Sequence, residues 1–265
     1  MKYVFLIVKN VIATKFAYKF NLFLEIAESI LALLVQILIW ASLFNSVNNK
    51  PVVGKDLSDL LTYVIISRLA SMIISSKFAV NLAAEIKSGD IAINFIRPCS
   101  PRLIFVFRSI GGSIVNLLTV GIPTLIIGFF VPNIKSLYSI SQLLFFLCSI
   151  FFGLLISIFF ELISGILAFW KVPGDFVEWY FSVCFVLLSG SIVPLWFFPK
   201  WLLRLAHCLP FQAAFFTPVQ IYLDRLSLLD TINLLLIQLF WVFFLFSFQE
   251  IMWHKGVKRL TMSGG

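Results

Sequence analysis

Charged side chains that stand inside long apolar runs are the residues of this chain most able to do chemistry. Arg68 lies near the middle of one run, and Glu161 lies in a later one. Glu25 and Glu28 share the first long run. A charge without a partner is costly in lipid, so such groups face protein or a water-filled path. These residues therefore indicate either structural ion pairs or the lining of a path for a polar compound.

Catalysis on a lipid would need acids grouped at one membrane face, a histidine base or a metal site. The two histidines, His207 and His254, are far apart, and the four cysteines have no paired spacing. The carboxylates are dispersed, so a membrane-embedded lipid-modifying enzyme is the weaker alternative. The dispersed acids are Glu25, Glu28, Glu85, Asp90, Glu161, Asp175, Glu178, Asp224, Asp230 and Glu250.

The composition indicates an integral membrane protein. Of 265 residues, 61% are hydrophobic and only 12% are charged. Soluble domains are about half apolar and about a quarter charged. The net charge of +8 is high enough to suggest nucleic-acid binding in a soluble protein. In so apolar a chain it is better explained by signals for membrane orientation, and we expect a lipid bilayer and no nucleic acid as a partner.

Apolar runs predict six transmembrane helices and so an all-α integral membrane protein. Lysines between the apolar residues of 1–18 are typical of a helix that lies in the membrane interface. The whole chain, 1–265, is expected to form one transmembrane domain that ends in a tail over 254–265. The predicted spans are residues 20–44, 58–80, 103–131, 139–169, 176–193 and 231–253.

The distribution of Lys and Arg predicts that both termini are cytoplasmic, because cytoplasmic segments carry an excess of these residues. Thirteen of them fall on the side of the termini and six on the other side. The thirteen are Lys2, Lys9, Lys15, Lys19, Lys77, Lys87, Arg97, Arg102, Arg108, Lys171, Lys255, Lys258 and Arg259. The six are Lys50, Lys55, Lys135, Lys200, Arg204 and Arg225.

An apolar stretch over 188–225 is interrupted by four prolines, Pro194, Pro199, Pro210 and Pro218. Proline removes a backbone donor and clashes with the preceding turn, so no straight spanning helix is expected here. Broken helices at membrane depth are tolerated only where protein or a water-filled cavity satisfies the backbone. The stretch is therefore predicted to dip into the extracytoplasmic face. Its aromatic residues either anchor it in the interface or contact a substrate.

The charged residues of three spans are expected at similar depths. Counting 1.5 Å per residue from the cytoplasmic ends, Glu28 and Glu161 lie about 12 Å deep and Arg68 about 18 Å deep. Glu25, Glu28, Ala32 and Gln36 recur every three or four residues and form a polar stripe on the first span. Gly153, Ser157, Glu161 and Gly165 recur every four residues and form a small-residue face on the fourth, so both glutamates are expected to face protein. We therefore predict that Arg68 pairs with Glu28 or with Glu161. The pair is either structural or part of a substrate path.

The loop over 82–101 is predicted to contain a short helix that ends at Gly89, followed by a helix capped by Asp90. Prolines at 98 and 101 prevent a longer helix before the next span. The residues alone leave two interpretations open. The loop is either a docking element for another protein or an ordinary basic connection.

Three blocks of sequence carry a family resemblance. The first is the pattern Ile-x-x-Gly-Asp-Ile-Ala, then Ile-Arg-Pro-x-Ser-Pro, over 86–101. The second is "SGSIVPLWFFPKWL" with "LPFQAAFFTPVQIYL", and the third is "WHKGVKRLTMSGG". The chain thereby resembles permease subunits of ABC-2-type ABC transporters, particularly the daunorubicin-resistance-like branch. Residues of the first pattern are Ile86, Gly89, Asp90, Ile91, Ala92, Ile96, Arg97, Pro98, Ser100 and Pro101.

The resemblance implies an architecture and partners. It implies an interfacial amino-terminal helix, six spans, and a re-entrant extracytoplasmic hairpin between the fifth and sixth over 194–225. It implies a second permease, which is the same chain or a paralogue, and two ATP-binding cassette subunits in a bacterial cytoplasmic membrane. The coupling helix would lie at Glu85, Ile86, Lys87, Ser88, Gly89 and Asp90. An extracytoplasmic gate would include Pro194, Trp196, Pro199, Trp201, Pro210, Phe211 and Pro218.

The sequence has no phosphate-binding loop of the form Gly-x-x-x-x-Gly-Lys-(Ser/Thr). Its only Gly-Lys pair, Gly54–Lys55, is followed by Asp56. ATP and Mg²⁺ are therefore expected on the partner subunit, with no cofactor, metal or catalytic residue on this chain. The favoured function is the membrane subunit of an ATP-driven exporter for an amphipathic, drug-like, peptide or lipid-linked compound. An ion-coupled secondary transporter is an alternative, although the internal repeats that favour it are absent.

Overall fold

The computed structural model shows an all-helical chain. It describes residues 2–46, 51, 54–74, 79–97, 99–131, 134–135, 139–170, 174–224 and 226–263. The helices are α1 (Lys2–Ala17), α2 (Lys19–Ser46), α3 (Leu57–Ile74), α4 (Ala79–Ser88), α5 (Ile91–Ile96), α6 (Pro101–Asn116), α7 (Ile122–Phe130), α8 (Ile140–Ile166), α9 (Gly174–Leu188), α10 (Lys200–His207), α11 (Pro210–Leu223) and α12 (Leu228–Ser263).

Five helical segments within the described residues are long and apolar enough to cross a bilayer. Their existence confirms a multi-pass membrane protein. The predicted fifth span over 176–193 is wrong in length, because α9 ends at Leu188. A helix of 15 residues reaches about 22 Å, against a hydrocarbon core of about 30 Å. The five segments are Lys19–Ser46, Leu57–Ile74, Pro101–Phe130, Ile140–Trp170 and Leu228–Arg259.

A π-helical turn at Leu117–Gly121 joins α6 to α7. Pro123 explains it, since this residue has no N–H to donate and its ring clashes with the carbonyl four residues earlier. Widening the helix by one residue removes that clash, as π-bulges do. The helix therefore continues from Pro101 to Phe130 despite the proline.

The amino-terminal helix α1 packs along α6. A Cβ built on Gly111 of α6 would lie 3.4 Å from the Cβ of Val11 and 3.5 Å from the Cα of Val8. The two helices are thus in ordinary van der Waals contact at Gly111, with room for a methyl group there. The helix predicted over 1–18 exists as α1, and it is docked on protein along one side.

The core is centred on α8, which packs against α11, α12, α3 and α4. The two glycines of α8, Gly153 and Gly165, lie in close contact with neighbouring helices. A Cβ on Gly153 would lie 2.2 Å from the carbonyl oxygen of Ala214, and a Cβ on Gly165 would lie 2.8 Å from Leu82. The small-residue face predicted around Glu161 therefore does meet protein.

Pro218 lies inside α11 and does not end it. Because a proline has no N–H, the carbonyl of Ala214 lacks its usual helical donor. That carbonyl points at Gly153 of α8, where only a glycine leaves room for it. The Ala214 carbonyl thus packs against α8 in place of the hydrogen bond that Pro218 cannot donate. Glycine at such a contact also allows a weak Cα–H···O interaction. The two residues are thus a matched pair across the α8–α11 interface.

Gln238 of α12 joins three core helices through one fully buried amide. Its Nε2 donates to the carbonyl oxygens of Ala213 at 2.7 Å and Ser149 at 3.1 Å. Its Oε1 accepts from the hydroxyl of Ser149 at 2.9 Å. Such hydrogen bonds replace water for polar groups in a membrane core. Sequence reasoning missed this residue, because a single Gln in an apolar run gives no sign of its partners.

Replacing Gln238 by leucine is expected to destabilise the protein by about 2 kcal/mol, because Ser149 and Ala213 then lose their partners. The matched control is Gln249→Leu on the same helix. Gln249 is also buried, but within the described residues its Oε1 accepts no hydrogen bond, and its Nε2 makes one long bond of 3.3 Å, to the adjacent Glu250. That change should be neutral or stabilising. Urea or thermal unfolding of both variants in one detergent measures the difference, and equal stability would contradict the assignment.

The carboxyl end of α12 extends beyond the predicted span, which was expected to end at residue 253. The helix continues to Ser263 through most of the predicted tail, and residues 264–265 lie outside the described part. Trp253 packs on Phe169 with ring centroids 5.7 Å apart. The guanidinium of Arg102 lies over the Trp253 ring in a cation–π contact. Arg102 also forms a salt bridge with Glu250. These contacts fix the end of α12 to the neighbouring helices.

Candidate functional site

A polar groove of about 560 Å³ lies between α1, α2, α3, α6 and the end of α9. We call it the Arg68 groove. Its apolar wall includes Met72, Val120 and Phe215. The structure thereby brings together Arg68 and the polar stripe predicted on the first span. The polar lining consists of Lys15, Glu25, Glu28, Ser29, Gln36, Ser67, Arg68, Ser71, Asn116 and Ser191.

Arg68 is held by Ser29. Its Nε and Nη2 both donate to the Ser29 hydroxyl, at 3.3 and 3.1 Å. Glu28, the neighbour of Ser29, acts on the guanidinium as an attractive charge. No salt bridge of 4 Å or less joins Arg68 to a carboxylate in the described ranges. The pairing of Arg68 with Glu28 therefore stays a prediction, with a hydroxyl as the direct partner.

Glu161 is not among the residues that line the Arg68 groove. One of its carboxylate oxygens accepts from the hydroxyl of Ser109 at 3.4 Å. Ser109 is fully buried on α6, and Glu161 faces it from α8. The Glu161 carboxylate therefore meets a polar group of a neighbouring helix. Its pairing with Arg68 remains a prediction.

A second groove of about 760 Å³ begins where the first one ends, and we call it the α1 groove. Its cations include Arg97 and Arg108. Lys15 of α1 and Glu25 of α2 line both grooves, and they form a salt bridge of 2.5 Å. This ion pair therefore stands at the boundary between the two grooves. Elsewhere in the lining of the Arg68 groove, the Gln36 amide donates a hydrogen bond to the carbonyl of Ile192 at 3.1 Å.

The predicted coupling loop forms a braced elbow. Glu85 at the end of α4 accepts from Arg108 of α6 at 2.6 Å and from the amide of Asn94 of α5 at 2.6 Å. Ile86 is buried in the core that includes Leu162 and Trp253. Lys87, Ser88, Gly89 and Asp90 are exposed. One carboxylate thus fixes α4, α5 and α6 relative to one another, and residues 87–90 form an exposed tip between α4 and α5.

Gly89 ends α4 with a φ of +83°, as the sequence predicts. A Cβ there would meet no atom within 4 Å, so backbone conformation alone favours glycine. The prediction that Asp90 caps α5 through its side chain is wrong. Its φ of −62° and ψ of −18° are helical, and no side-chain cap bond forms. Asp90 instead accepts from the Ser88 hydroxyl at 2.6 Å, which closes the tip. Residue 98 of this loop lies outside the described residues.

The interrupted stretch forms two short helices, α10 and α11, joined at Cys208–Leu209. Pro199 precedes α10, and Pro210 occupies the first turn of α11. Pro194 precedes a 3₁₀ turn that contains Trp196. Nearly every residue from Pro210 to Leu223 is buried, whereas α10 is amphipathic and Trp201 is 66% exposed. Residue 225 lies outside the described part of the chain.

Most aromatic residues of this stretch pack inside the protein. Phe211 stacks on Phe160 at 5.2 Å, and Phe216 contacts Trp196 at 5.7 Å. Tyr63 of α3 contacts Trp196 at 5.2 Å and donates a hydrogen bond to the carbonyl of Gly190. These contacts make α11 part of the core. Trp201 is the most exposed of these aromatic residues, which suits anchoring in the membrane interface.

Ion pairs between distant segments hold the end of the bundle that carries this stretch. Lys55 forms a salt bridge of 2.5 Å with Asp224, and its ammonium lies 4.5 Å from the centre of the Trp196 ring. Lys135 pairs with Asp59 of α3 at 2.5 Å. The sequence did not indicate these pairs, because their partners are 169 and 76 positions apart.

The model of the family described as ABC-2 family transporter protein matches residues 30–264. The chain belongs to this family. The match includes the elbow, α10, α11 and α12, and it begins one residue after Ser29. The comparisons with curated proteins and with solved structures give no match. As an ABC-2 family member, the chain is a membrane component of a transporter, and this confirms the resemblance found in the sequence.

Proposed function

We propose that this ABC-2 protein is the permease subunit of an ATP-driven exporter in a bacterial cytoplasmic membrane. Two such permeases, identical or paralogous, work with two ATP-binding subunits that carry ATP and Mg²⁺. The chain crosses the membrane six times, with α9 as a short fifth crossing and both termini in the cytoplasm. It moves an amphipathic compound out of the cytoplasm by alternating access.

The observation that carries this proposal is the braced elbow. A coupling element must transmit force, so it needs an exposed contact surface on a rigid support. The tip at 87–90 is exposed, while Glu85 and Ile86 tie it to the helices behind it. Arg108 lies on α6, which leads directly into a spanning segment. Movement of the tip by an ATPase is thus passed to the helix that borders both grooves.

The second permease is supported by the position of the Arg68 groove. Helix α2 is the least buried of the five long apolar segments, yet it contributes Glu25, Glu28 and Gln36 to the groove. Polar and charged groups that face lipid are expensive, so this face needs a polar cover. A second permease supplies such a cover and leaves a water-filled path between the two copies.

The extracytoplasmic gate is assigned to α10 and the turn before it. Helix α11 is anchored in the core by Gly153 and Gln238, so its movement would require repacking. Helix α10 and Trp201 lie at the surface and have fewer contacts to break. We propose that α11 is the fixed leg of a re-entrant hairpin and α10 the mobile one.

Reversal of charge at the tip tests the proposal. Asp90→Lys should abolish co-purification of the ATPase subunit, or lower transport-coupled ATP hydrolysis at least tenfold, without changing the amount of permease in the membrane. The matched control is Asp230→Lys. Asp230 is also exposed and also accepts from a serine, Ser227, at 2.6 Å, but it lies at the start of α12.

Three results would count against the function. An ATPase that associates equally with both variants would remove the elbow from the docking surface. Transport that persists without any ATPase and follows an ion gradient would favour the secondary transporter. Chemical turnover of a lipid by the purified chain would favour the membrane-embedded enzyme.

A further inference from the structure

The Arg68 guanidinium has hydrogen-bonding capacity that the described protein does not use. A guanidinium has five N–H donors in a planar fork. Two of its nitrogens donate to the same acceptor, the Ser29 hydroxyl. The remaining N–H groups, including both on Nη1, have no hydrogen-bond partner within the described residues, and Arg68 is half-buried in the groove wall. A planar donor pair of this kind matches a phosphate or a carboxylate.

The groove combines this cation with other polar groups and an apolar wall. Ser67, Ser71 and Asn116 supply uncharged polar groups beside Arg68. Met72, Val120 and Phe185 line the same groove and offer a surface for hydrocarbon. A compound with a small polar head and an apolar tail therefore matches both parts of the lining.

The charges along both grooves favour an anionic head. Four cations line them, against two carboxylates, and a third carboxylate, Glu85, holds Arg108. Glu25 is occupied by Lys15. Glu28 is the carboxylate that attracts Arg68, and it would compete with an anionic ligand for that charge. The cations are Lys15, Arg68, Arg97 and Arg108.

We propose that the Arg68 groove binds the anionic head group, a phosphate or a carboxylate, of an amphipathic compound. Arg68 receives the head group with its free N–H donors, and the apolar wall receives the start of the tail. The α1 groove, with Arg97 and Arg108, is the approach to this site, and the Lys15–Glu25 ion pair is the barrier that the head group passes. This inference rests on the proposed function, because it names the class of compound that is exported.

Binding of short-chain lipids to the purified full-length permease tests the site. The probes are dioctanoyl phosphatidate, dioctanoylglycerol with the same tails and no charge, and inorganic phosphate. Because hydrogen bonds to a charged group are stronger than those between neutral groups, phosphatidate should bind at least ~10-fold more tightly than dioctanoylglycerol. It should also bind at least ~10-fold more tightly than inorganic phosphate, since phosphate lacks the tails.

Variants in one groove should act in opposite directions. Arg68→Gln should weaken phosphatidate binding at least ~10-fold, whereas Glu28→Gln should tighten it by ~3-fold or more, because the competing carboxylate is gone. A purely structural role of either residue would not give opposite signs. Arg204→Gln, an exposed arginine on α10 that lines neither groove, is the matched control and should change nothing.

Three outcomes would overturn the proposal. They are equal affinity for phosphatidate and dioctanoylglycerol, equal affinity for phosphatidate and inorganic phosphate, and unchanged binding in Arg68→Gln. The comparison of probes uses the unaltered protein, so it stands even if Arg68→Gln fails to fold. Co-purification of the ATPase is measured separately. Its persistence alongside a failed lipid test would reject the anionic head group and leave the exporter function in place.

Discussion

Glu85→Ala is expected to uncouple the elbow from the membrane helices. The change leaves the Arg108 guanidinium without its carboxylate and the buried Asn94 amide without its acceptor. Hydrogen bonds to charged groups contribute about 1.5–3 kcal/mol each, so local opening of the elbow should become at least ~10-fold more frequent. Limited trypsin cleavage at Lys87 measures that opening on the permease alone. Transport-coupled ATP hydrolysis should fall by a similar factor.

A charge exchange separates the brace from a direct contact between Glu85 and the ATPase. In Glu85→Arg with Arg108→Glu the ion pair is restored in the opposite sense, and the Asn94 amide can turn its oxygen towards the new arginine. The double variant should therefore recover most of the protection from trypsin and most of the coupling. Recovery of protection without coupling would mean that the Glu85 carboxylate itself contacts the ATPase. Recovery of neither would contradict the brace.

Gly153→Ala is expected to prevent normal packing of the core. The added methyl group would lie 2.2 Å from a backbone oxygen, that of Ala214, and 3.2 Å from the Cδ1 of Ile74. A backbone atom cannot rotate away as a side chain can, so α8 and α11 must separate. Overpacking of this kind costs about 1–3 kcal/mol and occasionally more, out of a total stability that is commonly about 5–15 kcal/mol. The yield of monodisperse protein in detergent and its thermal unfolding temperature should both fall.

Gly111→Ala is the matched control for this substitution. It also places alanine for glycine in a spanning helix, but its nearest contact would be 3.4 Å, an ordinary van der Waals distance. Alanine is also the better helix former, so this variant should be as stable as the parent or slightly more stable. Equal loss of stability in both variants would show that any Gly→Ala change inside a spanning helix has this effect, whether or not it contacts Ala214.

Features that depend on composition and short-range pattern were predictable. Long apolar runs can only be helices in a membrane, because every backbone group needs an internal partner. This requirement gave the all-helical fold and the bounds of three of the five long spans to within two residues. The second predicted span was to end at residue 80, but α3 ends at Ile74 and residues 75–78 lie outside the described part; the last span continues beyond residue 253. Gly89 was predictable for a similar local reason, since its left-handed backbone is one that glycine adopts without cost.

Features that depend on backbone direction outside the helices were not predictable. The fifth run reads as apolar up to Val193, but α9 ends at Leu188 and Gly190 adopts a φ of +83°. Hydropathy carries no information about such a turn. Pro218 shows the converse case, because α11 continues through it once Gly153 accommodates the carbonyl that the proline leaves without a donor.

The sequence alone therefore determined the class of protein, its polar stripe, its elbow and the family to which they belong. The tertiary structure decided which charge meets which partner. Glu85 meets Arg108, Glu25 meets Lys15, and Arg68 meets a hydroxyl. The physical reason is that the depth of a residue follows from counting along its own helix. Its partner depends on the rotation and the neighbours of that helix, which are set by packing across the whole bundle.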